Sequence, residues 1–148
     1  MENENFNECQ RWKNQSDYDF ELAKSLISKE FSISCFLFQQ AAEKSLISYL
    51  ILKGTDKVWG SSISDLSEDC LAIDPTFDFL KSYGPILDKY LYSTRYPSFT
   101  ISGSPFEIFD KSDAEKAKEL SEEVIKFCDE KIKEIIWTLI RSLFWIRL

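Results

Sequence analysis

The sequence contains no histidine, and only four glycines and four prolines occur in its 148 residues. Without imidazole, a zinc site of the histidine type is excluded, as is the usual general base near neutral pH. So little Gly and Pro disfavours an all-β fold, which needs a turn every ten residues or so. Helices joined by few loops fit better. The cysteines, Cys9, Cys35, Cys70 and Cys128, are far apart and form no C-x-x-C pair. Cys35 and Cys128 fall in apolar stretches, where a free thiol behaves as a small hydrophobe. No Gly-rich phosphate loop is present, so the Walker and dinucleotide motifs are missing and no cofactor is implied. Positive charge is also short: 18 basic against 25 acidic residues give a formal charge of −7. The overall positive field of a typical nucleic-acid binder is therefore lacking, although a local basic patch is compatible with it. The opening residues, Met1 to Phe6, are acidic and polar, unlike a secretory signal. A reducing cytoplasm is the expected compartment.

What is present is apolar surface: 44% of residues are hydrophobic and 15% aromatic, which is incompatible with a disordered chain. The length suits one domain, residues 1–148, with a sizeable core. From about Asn5 to Lys29, Phe6, Cys9, Trp12, Phe20, Ala23, Leu26 and Ile27 recur at steps that mark one face of a helix. From about Ser32 to Lys53 the apolar arc is wider (Cys35, Phe36, Phe38, Ala41, Ala42, Leu46, Tyr49, Leu50), so this should be the central helix, closed by Gly54. A loop with Trp59 and Gly60 follows, then a capping box, Ser62 to Asp65, opening a short helix through Leu66 and Cys70. Asp74-Pro75 reads as another start. Gly84-Pro85 is expected to interrupt that helix, leaving a second piece from Ile86 to Tyr92. Tyr96 to Asp110 should be a long loop, and such loops are often functional. Ser112 to Glu115 has capping-box spacing for a last helix, the most periodic in the chain. The expected fold class is all-α: an up-and-down bundle of four to five helices with a long C-terminal helix.

The tail, residues 135–148, is apolar almost all round and interrupted by Arg141. It falls short of the roughly 18 apolar residues of a membrane span and lacks the lysines of an interfacial helix, so a membrane is not the expected partner. Burial against protein is, most simply the same helix of a second subunit, with Trp137, Leu139, Ile140, Leu143 and Phe144 as the dimer interface.

The run Phe38-Gln-Gln-Ala-Ala-Glu-Lys-Ser-Leu46 resembles the second-helix signature of HEPN domains, a Gln-x-Ala-Glu-Lys block between apolar residues. Ser16 to Ala23 resembles the family's first helix, Val58 to Leu66 its loop into the third, and Leu91-Tyr-Ser-Thr-Arg-Tyr-Pro97 its Thr-Arg-Tyr-Pro signature. The resemblance spans about residues 16–133. It implies a small helical bundle that usually dimerises. It also implies nucleotide- or RNA-related work, often beside a minimal nucleotidyltransferase, in some cases within toxin–antitoxin-like pairs. Many members are ribonucleases using an Arg and a His with four to six residues between them. If Arg95 is that Arg, the positions that follow hold Thr100, Ile101 and Ser102, and a second His of relatives is Ser61 here. None of these shuttles a proton near neutral pH.

The expected function is thus a non-catalytic module binding a nucleotide or RNA, with no catalytic residues and no metal. The alternatives are a ribonuclease that works without His, or an assembly protein using its apolar tail. Arg95 could hold a phosphate with its planar fork, or form an inter-helix salt bridge. Tyr92 and Tyr96 could stack on a base, or form a half-buried aromatic cluster under the loop. Gln39, Gln40, Glu43 and Lys44 could line a cleft as a polar network, or be ordinary helix-surface groups. Asp65 and Asp69, four apart, could hold Mg²⁺ through water, but a solvated face is the simpler reading.

Overall fold

A computed structural model of the chain describes residues 2–56 and 62–146; the expected loop residues Val58, Trp59, Gly60 and Ser61 lie outside them. The elements are α1 (Glu2–Leu26), α2 (Phe31–Leu52), α3 (Ile63–Ile73), α4 (Leu80–Tyr92), α5 (Pro105–Ile108) and α6 (Lys111–Ile146), with 3₁₀ turns at Pro75–Phe79 and Pro97–Phe99. No strand occurs among the described residues, and the all-α bundle with a long last helix stands.

α2 is the central helix. It packs against α1 and α6 along its length and touches α3 and α4. Cys35, Phe38, Ala41, Ala42, Leu46, Ile47, Tyr49 and Leu50 are all buried. Small residues let α1 come close: the Ser16 hydroxyl donates to the Ala41 carbonyl at 2.7 Å, and Ser34 to that of Ala23 at 2.8 Å. These cross-helix bonds satisfy hydroxyls that would otherwise be buried without partners. Lys13 ties α1 to α6 by its pair with Asp129 at 3.1 Å. α2 ends in a Schellman motif: Gly54 takes φ 85°, its N–H donates to Ile51, and Thr55 donates to Leu50.

Of the expected capping box of α3 the first half is present, the Ser62 hydroxyl accepting from the Asp65 N–H at 3.0 Å, which makes Ser62 the N-cap. A second cap comes from another helix. The Asp88 carboxylate on α4 accepts from the Ile63 N–H at 2.6 Å and from the Ser64 hydroxyl at 2.7 Å and N–H at 3.2 Å. Asp74 starts the 3₁₀ turn, accepting from the Thr76 N–H at 2.9 Å and hydroxyl at 2.7 Å. Phe77 then plugs the core between Tyr49 and Phe127, its ring centre 4.7 and 4.9 Å from theirs.

Four local expectations need correction. α4 runs unbroken through Gly84-Pro85. Pro85 removes only the hydrogen bond to the carbonyl of Lys81, an exposed residue whose carbonyl water can reach, and Gly84 lets the backbone of α3 approach closely. The stretch from Tyr96 to Asp110 is not all loop: Pro97 and Pro105 each open a short helical turn, where a missing N–H costs nothing. The capping box of α6 is Asp110 with Asp113, not Ser112 with Glu115. The Asp113 N–H donates to Asp110 at 3.0 Å and the Asp110 N–H to Asp113 at 2.9 Å. α1 likewise lies about a turn earlier than expected, Glu2–Leu26, with Ile27 packed against the core just beyond its end.

α6, with 36 residues, is about 54 Å long. Ala114, Ala117, Leu120, Val124, Cys128 and Ile132 form its buried stripe. Ile135 and Ile136 still touch the core, but Trp137, Leu139, Ile140, Leu143, Phe144 and Trp145 are exposed. None of the described helices is long and apolar enough to cross a membrane.

Candidate functional site

α4 ends in Tyr92, and the chain turns through Ser93 and Thr94 into Arg95. The Thr94 hydroxyl, buried, donates back to the Tyr90 carbonyl at 2.6 Å and fixes this turn. Arg95 then folds over the helix end. Its Nε–H and one Nη2–H donate to the Leu91 carbonyl, at 3.0 and 2.5 Å. That contact satisfies a carbonyl left orphaned by the helix terminus and places a cation at the negative end of its dipole.

The rest of the guanidinium lies among rings. Its centre is 4.1 Å from the Phe36 ring of α2, 5.1 Å from Tyr96 and 5.7 Å from Tyr92. Phe99 stacks on Tyr92, with ring centres 5.2 Å apart and planes 22° apart, and meets Tyr96 edge-on. Tyr92 is 50% exposed, Tyr96 48% and Phe99 61%. The expected aromatic cluster is therefore real but open to solvent on one side. The expected salt bridge is not formed: among the described residues no carboxylate lies within ion-pair distance of Arg95. Three of the five guanidinium N–H donors have no partner among the described residues.

The second group forms a row along the α1–α2 seam. The Lys44 ammonium donates to Asp19 at 2.5 Å and to the Gln40 carbonyl oxygen at 3.2 Å. The Gln40 amide donates to Gln39 and to Glu43, both at 2.8 Å, and Gln15 donates to Asp19 at 2.9 Å. These are not ordinary surface charges. Gln39 is wholly buried, and Asp19 and Glu43 nearly so. Gln39 and Glu43 thus hold Gln40 in place, and Gln40 and Lys44 are the members nearer solvent. Beside the row, Glu8, Arg11, Trp12, Gln15 and Lys44 line an open groove of about 440 Å³. Phe36 precedes Gln40 by one turn of α2, about 5.4 Å, so the arginine stack and the polar row occupy adjacent turns of one helix. No hydrogen bond joins the two sets among the described residues.

Reading the sequence missed Phe36, Phe99, Asp19 and Gln15. Phe99 carried a signal, as an aromatic two residues after Pro97 in the loop. Asp19 lay in the quoted Ser16 to Ala23 run, but its pairing with Lys44 crosses 25 residues and depends on helix register. Of the positions after Arg95, Thr100 donates to the Pro97 and Gly103 carbonyls, and the Ile101 side chain is fully exposed. Asp65 and Asp69 are exposed on α3. All four cysteines are buried, and burial pushes Cys9 up to about 11 and Cys35 and Cys128 to about 12, so none offers a thiolate near neutral pH.

Comparison with known proteins now adds to this geometry. The model of the HEPN domain family matches residues 9–132. A solved structure, TT1696 from Thermus thermophilus, is similar at 30% identity with a TM-score of 0.74, covering 83% of this chain and 97% of that one. ST0689, described as an archaeal HEPN homologue, is similar at 28% identity with a TM-score of 0.67, over 84% and 97% of the two chains. No curated protein matches.

Proposed function

The chain belongs to the HEPN domain family, and on that premise we propose that it is a non-catalytic recognition module for a nucleotide or a single-stranded RNA segment. The observation that carries this reading is the Arg95 guanidinium, set over Phe36 and rimmed by Tyr92 and Tyr96, with three N–H donors that no described residue takes up and no described carboxylate within ion-pair distance. A phosphate oxygen is the acceptor such a fork suits. The half-exposed rings of Tyr96 and of stacked Tyr92 and Phe99 offer a base a flat face, worth about 1–3 kcal/mol per stacked base. Lys44, two turns further along α2, gives two of its ammonium N–H groups to Asp19 and Gln40 and has the third to offer the next part of the ligand. With a net charge of −7 the module draws no long-range attraction, so few phosphates are engaged and the salt dependence is shallow.

The family's cleavage chemistry needs an imidazole as proton carrier, and the chain has no histidine. Recognition without turnover is what the remaining groups support. A minimal nucleotidyltransferase is the proposed protein partner, on the strength of the resemblance.

The test is fluorescence anisotropy with labelled single-stranded RNA and with labelled ATP, for the native chain, Arg95→Ala, Arg95→Lys and Tyr96→Ala. Losing one charged hydrogen bond of about 1.5–3 kcal/mol weakens binding roughly 10- to 150-fold in Arg95→Ala. Lys should fail to rescue it, because the planar fork and its stacking are lost. Equal affinity of native and Arg95→Ala proteins for every RNA and nucleotide tested would overturn the proposal.

A further inference from the structure

Of α2 between Ser34 and Leu50, only Phe36, Leu37, Gln40 and Lys44 are not buried. Phe36, Gln40 and Lys44 follow at steps of four, so they form one strip along the helix. Arg95 lies at one end of the strip, over the Phe36 ring. At the other end Lys44 joins Glu8, Arg11, Trp12 and Gln15 of α1 in lining the open groove. Asp19, nearly buried, fastens the two helices there: one carboxylate oxygen accepts from Lys44 of α2 at 2.5 Å, the other from Gln15 of α1 at 2.9 Å. The groove is thus continuous with the strip that begins at Arg95.

The lining has the parts that hold a base and its phosphate. Trp12 is partly buried against the core, and its Nε1–H donates to one Glu8 oxygen at 3.1 Å. The other Glu8 oxygen accepts from Arg11 at 2.8 Å. Glu8 is the one carboxylate lining the groove among the described residues, and both its oxygens are engaged in holding Trp12 and Arg11 in place. Four of the five Arg11 N–H donors and one of the three on Lys44 have no partner among the described residues, and such donors suit a phosphate. The Gln15 amide is held by Asp19, which leaves its carbonyl oxygen as an acceptor for the N–H edge of a base. At about 440 Å³ the groove falls in the range of small-ligand sites, about 300–1,000 Å³.

We propose that the Trp12 groove is a second nucleotide station of the same site, so that the ligand is a single strand running from Arg95 to Trp12 and not a free mononucleotide. The inference rests on the reading of Arg95 as the holder of a phosphate. Eight residues of α2 separate Phe36 from Lys44, about 12 Å of helix. Stacked nucleotides of one strand follow at about 3.4 Å, so three to four of them cover that distance, and fewer when the strand is drawn out. A mononucleotide reaches one station only. Lys44 meets an intervening phosphate with its third N–H. Arg11 takes the phosphate of the far nucleotide, whose base lies on the Trp12 ring, as bases do on the aromatic platforms of single-strand binders. A duplex keeps its base faces stacked away and can use neither platform.

Isothermal titration calorimetry with oligoadenylates of one to six nucleotides tests this. The native chain should bind AMP weakly and gain affinity in a step at about the third or fourth nucleotide, where the strand first reaches the groove. Trp12→Leu should weaken hexaadenylate roughly 5- to 150-fold, the worth of one stacked base, and leave AMP unchanged. Arg11 is exposed, so Arg11→Ala spares the fold and should show the same split between long and short ligands. Trp12→Phe keeps an aromatic ring against the core and serves as a spectroscopic control: hexaadenylate, but not AMP, should quench tryptophan emission in the native chain and not in this variant. If Arg95→Ala weakens every length while Arg11→Ala and Trp12→Leu change none, the second station is overturned and the Arg95 reading stands. If Arg95→Ala changes none either, that reading fails and this inference falls with it. AMP bound as tightly as hexaadenylate, or quenching that persists in Trp12→Phe, also overturns the second station.

Discussion

Asp88 tests how the bundle holds α3, and through it the path of the chain into α4. Its carboxylate accepts from the Ile63 N–H, the Ser64 N–H and the Ser64 hydroxyl. Replacing it with Ala removes the acceptor from all three. Ile63 is fully buried, so its N–H, held at 2.6 Å, has no water to turn to and costs the full 1.5–3 kcal/mol of a charged hydrogen bond. The hydroxyl can rotate towards solvent, and the second N–H bond is long, so together they add about 1 kcal/mol, the worth of a helix cap. The expected loss is about 3 kcal/mol. With an m value of about 2 kcal/mol/M in urea, the unfolding midpoint followed by far-ultraviolet ellipticity should fall by about 1.5 M. Asp88→Asn keeps one acceptor oxygen and should lose about half as much. If Asp88→Ala stays within about 0.5 kcal/mol of the native chain at unchanged m, the inter-helix cap is not what secures α3.

The same contact predicts a cost at Gly84. A Cβ there would sit 2.7 Å from the Ser64 hydroxyl and 3.1 Å from its Cα, so Gly84→Ala should destabilise by about 1–3 kcal/mol in thermal melts although Ala is the better helix former. A stabilised variant would refute the close approach. Asp74 contributes to the acid side of the stability curve. The Thr76 hydroxyl and N–H and the Lys131 ammonium, at 3.0 Å, bring its carboxyl from 3.8 down to about 2. The folded state then binds this proton less readily than the unfolded one. The stabilisation is complete above about pH 4 and lost as the pH falls towards 2. Thr76→Val should lower stability at neutral pH and flatten this acid limb in chemical denaturation; an unchanged limb would refute the assignment.

Helix identity was largely legible in the sequence because apolar spacing records which face is buried. The wide arc from Cys35 to Leu50 marked α2 as central, and so it is. Errors arose where tertiary contact overrode local chemistry. Gly84-Pro85 reads as a break, yet the glycine is there for α3. Ser112 reads as a cap, yet Asp110 stands one residue before the helix and takes that place. The site was legible in part. Arg95, Tyr92 and Tyr96 are neighbours in the chain and in space. Phe36, under the guanidinium, comes from a helix some sixty residues earlier, and no local pattern records such a contact. Gln39 and Glu43 carried the family signature but are buried supports, a distinction that periodicity along so apolar a helix cannot draw.

The uninterrupted course of α6 has one more consequence. From Lys111 to Ile146 it contains neither Gly nor Pro, so it has no built-in hinge. A rod of that kind transmits orientation. Whatever takes hold of its exposed end between Trp137 and Trp145 acts through that rod on the stripe from Ala114 to Ile132, and so on α2, the helix that carries Phe36 beneath Arg95.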